Sequence, residues 1–163
     1  MGFLKKLFSV PELALGAPVA GQAVPITEVN DPTFREEIVG KGLAIRPSGN
    51  TIVSPCDGTV ELMFDTGHAV SVLDKASGAE VLIHVGLETV GLKGRYFKVL
   101  AKTGDTVSAG TPLIEFDREA VAAAGYDTIT PVVVCNPEAF SRFSTYPGGA
   151  VAPGDKIIGL VRA

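Results

Sequence analysis

A chain of 163 residues, 46% hydrophobic and 20% charged, has the size and composition of one domain with a real core, and too little length for two. Its net charge of −4 supplies no global field for nucleic acid, and no basic stripe interleaved with aromatics supplies a local one, so a basic partner is the better complement. The two cysteines, Cys56 and Cys135, are far apart and lie in no Cys-x-x-Cys spacing, which reads as reduced, packed thiols of a cytosolic protein.

Residues 1–10 (MGFLKKLFSV) set Phe3, Leu4, Leu7 and Phe8 at helical spacing opposite Lys5 and Lys6. This short basic amphipathic stretch is too short to span a bilayer and lacks a secretory cleavage pattern. Lys6 stands where a myristoylation signal needs Ser or Thr. The stretch is a candidate for weak contact with a membrane surface, with a frayed or packed tail as the alternative. Residues 1–16 are therefore read as an N-terminal segment and linker, and residues 17–163 as the domain.

From there the texture is short apolar runs punctuated by Gly and Pro, which occur 19 and 11 times. Residues 42–46 (GLAIR), 59–64 (TVELMF), 69–73 (AVSVL), 80–85 (EVLIHV), 113–116 (LIEF) and 132–135 (VVVC) have the length and β-branched content of strands. A short helix is predicted over 118–124 (REAVAAA) and a turn after Asn136-Pro137.

Two phrases recur. Ala17-Pro18-Val19-Ala20-Gly21 with Val24 is echoed by Ser54-Pro55-Cys56-Asp57-Gly58 with Val60; Gly104-Asp105-Thr106-Val107 with Gly110 and Leu113 is echoed by Gly154-Asp155-Lys156-Ile157 with Gly159 and Leu160. Paired turn-to-strand units imply an all-β, antiparallel sandwich or barrel built from two related motifs, with little helix.

Chemistry must come from a chain with only two histidines. Alternation over 81–85 sends Val81, Ile83 and Val85 to one face and Leu82 and His84 to the other. His68 follows Gly67 at the turn opening the preceding strand, and a reversal over 74–78 makes one hairpin of the two. Either histidine taken alone reads best as a satisfied structural or surface group.

The phrases Thr66-Gly67-His68-Ala69-Val70, then residues 78–90 (GAEVLIHVGLETV), then Leu92-Lys93-Gly94 with Phe97, resemble the phosphorylation region of the glucose family of enzyme IIA in the bacterial sugar phosphotransferase system. Phe34, residues 38–42 (IVGKG), Ala44-Ile45, Ser54-Pro55 to Gly58-Thr59, Phe116-Asp117 and Thr130-Pro131-Val132-Val133 to Asn136 fall in family order, so the resemblance covers nearly the whole chain. The phrase His-x-Gly-x-x-Thr-Val is specific when a His-Ala precedes it by sixteen residues. Gly67, where Asn is common, and Glu88, where the free-standing type usually has Asp, are departures.

The resemblance implies an all-β phosphotransferase component. His84 would accept the phosphoryl group through Nε2, its Nδ1–H fixed by the Gly86 carbonyl. His68 would stabilise the phosphoryl oxygens and Thr66 would orient His68. Phe34, Ile38, Phe64 and Leu82 would form an apolar docking ring, with Asp31 and Glu88 as acidic rim; core packing is the alternative for Phe64 and Ile38. The implied partners are the histidine-containing phosphocarrier protein as donor and a sugar-specific enzyme IIB/IIC permease as acceptor, with regulatory targets that read phosphorylation state. The implied location is the cytoplasm, with contact to the inner membrane face through residues 1–10. No cofactor and no metal is called for, since phosphoryl transfer between side chains needs mainly alignment. Two rivals come from the residues themselves. Asp74-Lys75-Ala76 resembles the lipoyl attachment turn of carrier domains about half this size, and a zinc hydrolase of related fold would need a third ligand beyond the two imidazoles.

Overall fold

The computed structural model describes residues 10–163; apart from Val10, the amphipathic stretch lies outside them. The strands are β1 (Leu13–Gly16), β2 (Gly21–Pro25), β3 (Lys41–Pro47), β4 (Thr51–Val53), β5 (Gly58–Met63), β6 (Ala69–Asp74), β7 (Glu80–His84), β8 (Phe97–Val99), β9 (Thr106–Val107), β10 (Pro112–Phe116), β11 (Thr130–Val134), β12 (Phe140–Thr145), β13 (Gly149–Val151) and β14 (Lys156–Arg162). Among the described residues, two short α-helices, α1 (Pro32–Arg35) and α2 (Arg118–Ala123), accompany them. Each helix starts on an aspartate that accepts from the backbone of its first turn: Asp31 from Thr33 N–H at 3.0 Å and Asp117 from Ala120 N–H at 3.1 Å. All six predicted strands and the predicted helix are present within a residue or two of their expected limits, and Asn136 leads into a 3₁₀ turn over Pro137–Ala139.

Every strand pairing is antiparallel, as the all-β reading expects. One eight-stranded sheet runs β13-β2-β3-β11-β7-β6-β5-β9, and two three-stranded sheets run β1-β14-β12 and β4-β10-β8. These orders expose an internal two-fold relation: β13-β2-β3-β11 repeats as β9-β5-β6-β7, and β1-β14-β12 repeats as β4-β10-β8. The hydrogen bonds obey it. Gly16 N–H donates to the Pro55 carbonyl at 2.9 Å, and Val53 N–H returns the bond to the Pro18 carbonyl at 2.7 Å. Leu15 opposite Ile158 in one small sheet corresponds to Ile52 opposite Ile114 in the other, all four fully buried.

The first recurring phrase thus marks a real repeat, whereas the second pairs turns that are not counterparts. Gly154 N–H donates to the Ala17 carbonyl, and its counterpart is Gly110 N–H on the Ser54 carbonyl, both at 2.9 Å. The Gly104-Asp105 turn resembles Gly154-Asp155 only locally: each aspartate closes its turn by accepting from a backbone N–H, Lys102 at 2.9 Å and Ala152 at 2.8 Å. Turn chemistry is repeated more often than topology, so the two Gly-Asp turns are alike without being counterparts.

The reading of the residues up to 16 as segment and linker is corrected for Leu13–Gly16. Leu13–Gly16 pairs with β14 through Leu13↔Leu160, Ala14↔Gly159 and Leu15↔Ile158, so the folded unit begins before Ala17. Leu15 and Ala17 carry the apolar inward positions that a strand there requires, and Glu12 pins the approach by accepting from Tyr146 Oη at 2.7 Å and pairing with Lys156.

One core cluster joins the inner face of the large sheet (Leu43, Ile45, Val70, Val72, Val81, Ile83, Val132, Val134) to the small sheets (Leu15, Ile52, Leu113, Ile114, Ile157, Ile158, Leu160). Each such side chain contributes about 1.5–3 kcal/mol on burial. A second cluster lies on the outer face, where the segment carrying α1 folds over β3 and β11 and buries Ile26, Val29, Phe34, Ala44 and Val133. Leu82 of β7 packs against this cluster, and Phe34 reaches the His84 ring at the end of the same strand.

Candidate functional site

Residues 81–85 alternate as read from the sequence: Val81, Ile83 and Val85 are in the core, while Leu82 and His84 are half-buried on the opposite face. Ala69 pairs with His84 across the hairpin, and Val85 N–H donates to the His68 carbonyl at 2.7 Å. These bonds set the two rings edge to face, 5.2 Å between centroids at 77°. Gly67, at φ +71°, makes the turn into His68, and a Cβ there would stand 3.1 Å from Phe97 Cβ and from Val99 Cγ2. The neighbouring sheet therefore presses against that turn.

Both imidazoles have their Nδ1 engaged. His84 Nδ1 lies 2.6 Å from the Gly86 carbonyl oxygen, a contact that requires a proton on Nδ1 and leaves Nε2 unprotonated in the neutral ring. Gly86 turns at φ +78°, and a Cβ on it would stand 2.7 Å from Thr89 Cγ2 and 2.9 Å from the Asp127 carbonyl oxygen, so the position admits only glycine. His68 Nδ1 is hydrogen-bonded to Thr66 Oγ1.

Electrostatics keep both rings neutral. His68, only 5% exposed, is pushed down to about 4 by burial first and by the nearby His84 second. His84 is also held below the ordinary imidazole value by burial, although the Gly86 carbonyl and Asp31 pull the other way.

The remaining expected residues divide by exposure. Phe34 is 5% exposed and packs on His84 at 5.1 Å between centroids, forming a wall behind the imidazole with little surface of its own. Phe64 is half-buried and meets His68 edge-on at 5.1 Å. Ile38 is 71% exposed, which removes the core reading for it. Leu82 is half-buried against the outer cluster. Glu88 is exposed at φ 58°, and Asp31 caps α1 beside His84. Thr89 and Asp127 went unread in the sequence, although the Gly-x-x-Thr spacing was visible and returns a hydroxyl toward the carbonyl four residues earlier.

A model of the family "phosphoenolpyruvate-dependent sugar phosphotransferase system, EIIA 1" matches residues 13–140. The chain belongs to this EIIA family. Among EIIA relatives, it is 42% identical over 144 residues to the β-glucoside-specific EIIBCA component of Bacillus subtilis (strain 168), a match covering 88% of this chain and 24% of the other. It is 37% identical over 137 residues to the glucose-specific EIIA component of Oceanobacillus iheyensis, covering 81% and 82%. The solved structure of the glucose permease IIA from Mycoplasma capricolum superposes with a TM-score of 0.83 at 30% identity, over 92% and 96% of the two chains. The chain spans about a quarter of the length of the β-glucoside-specific relatives. EIIA membership carries a phosphoryl-carrier role in sugar transport, and it replaces the lipoyl reading of Lys75, an exposed residue in the β6–β7 turn. Among the described residues no group of three or more His, Cys, Asp or Glu could hold a metal ion, and no helix is long and apolar enough to cross a membrane. Cys56 and Cys135 are free thiols, and burial pushes Cys56 up to about 12.

Proposed function

We propose that this EIIA chain accepts a phosphoryl group on His84 Nε2 from the histidine-containing phosphocarrier protein and passes it to a sugar-specific enzyme IIB. The observation that carries this reading is the 2.6 Å contact of His84 Nδ1 with the Gly86 carbonyl, beside a second neutral imidazole. A phosphoryl acceptor needs a nitrogen lone pair free at neutral pH, and a ring whose other nitrogen is already donating meets that need. In the accepting step Nε2 attacks phosphorus, the bond to the donor imidazole breaks, and the donor nitrogen keeps the electron pair. His68 then faces the charge placed on His84 and stabilises the phosphoryl oxygens, while Thr66 orients His68.

Docking falls to the face around the rings. Ile38, Phe64 and Leu82 offer apolar contact, Phe34 backs the imidazole, and Asp31 and Glu88 attract a basic partner. A charge of about −2 arriving inside that face gives regulatory targets a means to tell the two states apart. This exchange belongs in the cytoplasm, with residues 1–10 available for contact at the membrane surface.

The test is incubation with phosphoenolpyruvate, enzyme I and the phosphocarrier protein, followed by mapping of acid-labile phosphate. Phosphate on His84, absent in His84→Gln, supports the reading; phosphate elsewhere, or full acceptance by His84→Gln, overturns it.

A further inference from the structure

Two peptide planes meet at Gly86, and each is pinned at a different place. The plane that carries the Gly86 carbonyl also carries the Leu87 N–H, which donates to the Asp127 carbonyl at 2.9 Å. The plane before it carries the Val85 carbonyl, which accepts from Thr89 Oγ1 at 2.6 Å. Thr89 is fully buried, so its hydroxyl has no water to turn to and stays on that carbonyl. Its methyl also faces Gly86, 2.7 Å from where a Cβ would stand. Thr89 thus touches both what comes before Gly86 and Gly86 itself.

The consequence reaches His84 because Gly86, at φ +78°, is the one residue between these anchors with wide conformational freedom. Release either plane and the glycine can rotate, which swings its carbonyl away from Nδ1. The imidazole would then lose the acceptor that selects the Nδ1–H tautomer, and Nε2 would carry the proton for part of the time. We propose that Thr89 is a positioning residue for the phosphoryl acceptor: by holding the Val85 carbonyl it locks the Gly86 turn, keeps the Gly86 carbonyl on His84 Nδ1, and so keeps Nε2 free. The inference rests on the reading of His84 as the acceptor.

The test compares Thr89→Val, which keeps the shape and deletes the hydroxyl, with Thr89→Ser, which keeps the hydroxyl and deletes the methyl. Thr89→Ala serves where Val does not fold. Nitrogen-15 NMR of the imidazoles reads the His84 tautomer with no phosphoryl donor present, and rapid-quench phosphorylation by the phosphocarrier protein reads acceptance. In Thr89→Val, or in Thr89→Ala, the His84 spectrum moves toward a mixture of tautomers and acceptance slows on the order of 10- to 100-fold, the usual scale for a misaligned reacting group. Thr89→Ser retains the Nδ1–H tautomer and most of the rate.

A merely structural role would lower the melting temperature of the variants and leave the tautomer unmoved. A folded Thr89→Val or Thr89→Ala with the unaltered tautomer and rate overturns the proposal, as does Thr89→Ser failing as badly as its partner. Failure of the unaltered protein to accept phosphate on His84 counts against the acceptor reading, whereas the tautomer measurement judges Thr89 by itself.

Discussion

The Nδ1 of His84 sits 2.6 Å from the carbonyl oxygen of Gly86, two residues further along the same chain, and the intervening turn at φ +78° makes that contact geometrically available. A side chain at residue 86 meets Thr89 Cγ2 at 2.7 Å and the Asp127 carbonyl at 2.9 Å, so Gly86→Ala must move the carbonyl. We expect phosphoryl acceptance to fall at least about 10-fold and stability to fall by about 1–3 kcal/mol. Single-turnover phosphorylation and urea unfolding measure the two effects. Unchanged acceptance would mean that the tautomer is fixed by something other than this bond.

Stability should depend on pH through His68. Its folded value near 4 lies below the unfolded imidazole value, so between about pH 6.5 and 4 the unfolded chain binds a proton that the folded chain refuses. Stability is therefore complete above the unfolded value and declines as pH falls through this window, by an amount on the order of 3 kcal/mol at about 1.4 kcal/mol per unit. His84 adds in the same direction. Urea unfolding from pH 8 to 4 should show the decline, and His68→Gln should flatten it. An equal slope in the variant would assign the effect to other groups.

The hairpin, its inward and outward faces and the pairing of the histidines were legible because strand alternation and turn residues act locally. Val81, Ile83 and Val85 announce a core face whatever lies across from them. The strand status of Leu13–Gly16 was not legible, since four residues gain it only by pairing with β14, far away in the sequence. Phe34, expected in the docking ring, lies against His84 with little surface of its own: its burial comes from the segment carrying α1 folding over β11, a long-range event that no local pattern encodes. Thr89 escaped for the opposite reason. It stands in the His-x-Gly-x-x-Thr-Val phrase and its bond is local, but the phrase does not say which group its hydroxyl meets.

The internal repeat makes a paired prediction. Gly21 and Gly58 are counterparts in β2 and β5, and a Cβ on them would stand 2.1 Å from the Arg46 carbonyl oxygen and 1.9 Å from that of Leu73. Both contacts are with backbone of the neighbouring strand, so the sheet itself must part. Gly21→Ala and Gly58→Ala should each cost more than about 3 kcal/mol. Gly78→Ala, at φ +76° with nothing within 4 Å, should cost only about 1–2 kcal/mol, the strain of the left-handed backbone alone. Similar costs at all three positions in guanidinium unfolding would refute the packing argument.

Glu88, proposed as part of the acidic rim, is exposed, and a carboxylate in that role would act mainly on encounter with a basic partner. Glu88→Gln preserves shape and removes the charge. Acceptance from the phosphocarrier protein should slow several-fold at low salt, and the difference from the unaltered protein should shrink near 0.5 M salt, where screening acts within about 5 Å. A salt-independent defect would place Glu88 in direct contact instead.

His68 is suited to respond to charge rather than to carry it. Its ring is neutral, edge-on to His84, and paired through Nδ1 with Thr66, so Nε2 is the nitrogen left for an incoming group. Glutamine at this position keeps an N–H donor of similar reach, and His68→Gln should still accept phosphate within about tenfold of the normal rate. An amide cannot gain a proton, whereas an imidazole beside a phosphoryl dianion is drawn upward in pKa and can strengthen its hold as charge shifts during departure. Transfer onward to enzyme IIB should therefore fall by about 10²–10⁴, the range associated with loss of acid–base assistance. Rapid-quench measurement of both half-reactions on one preparation decides the matter: a defect confined to the second half gives His68 its role in the transition state, and equal defects in both reduce it to a support for His84.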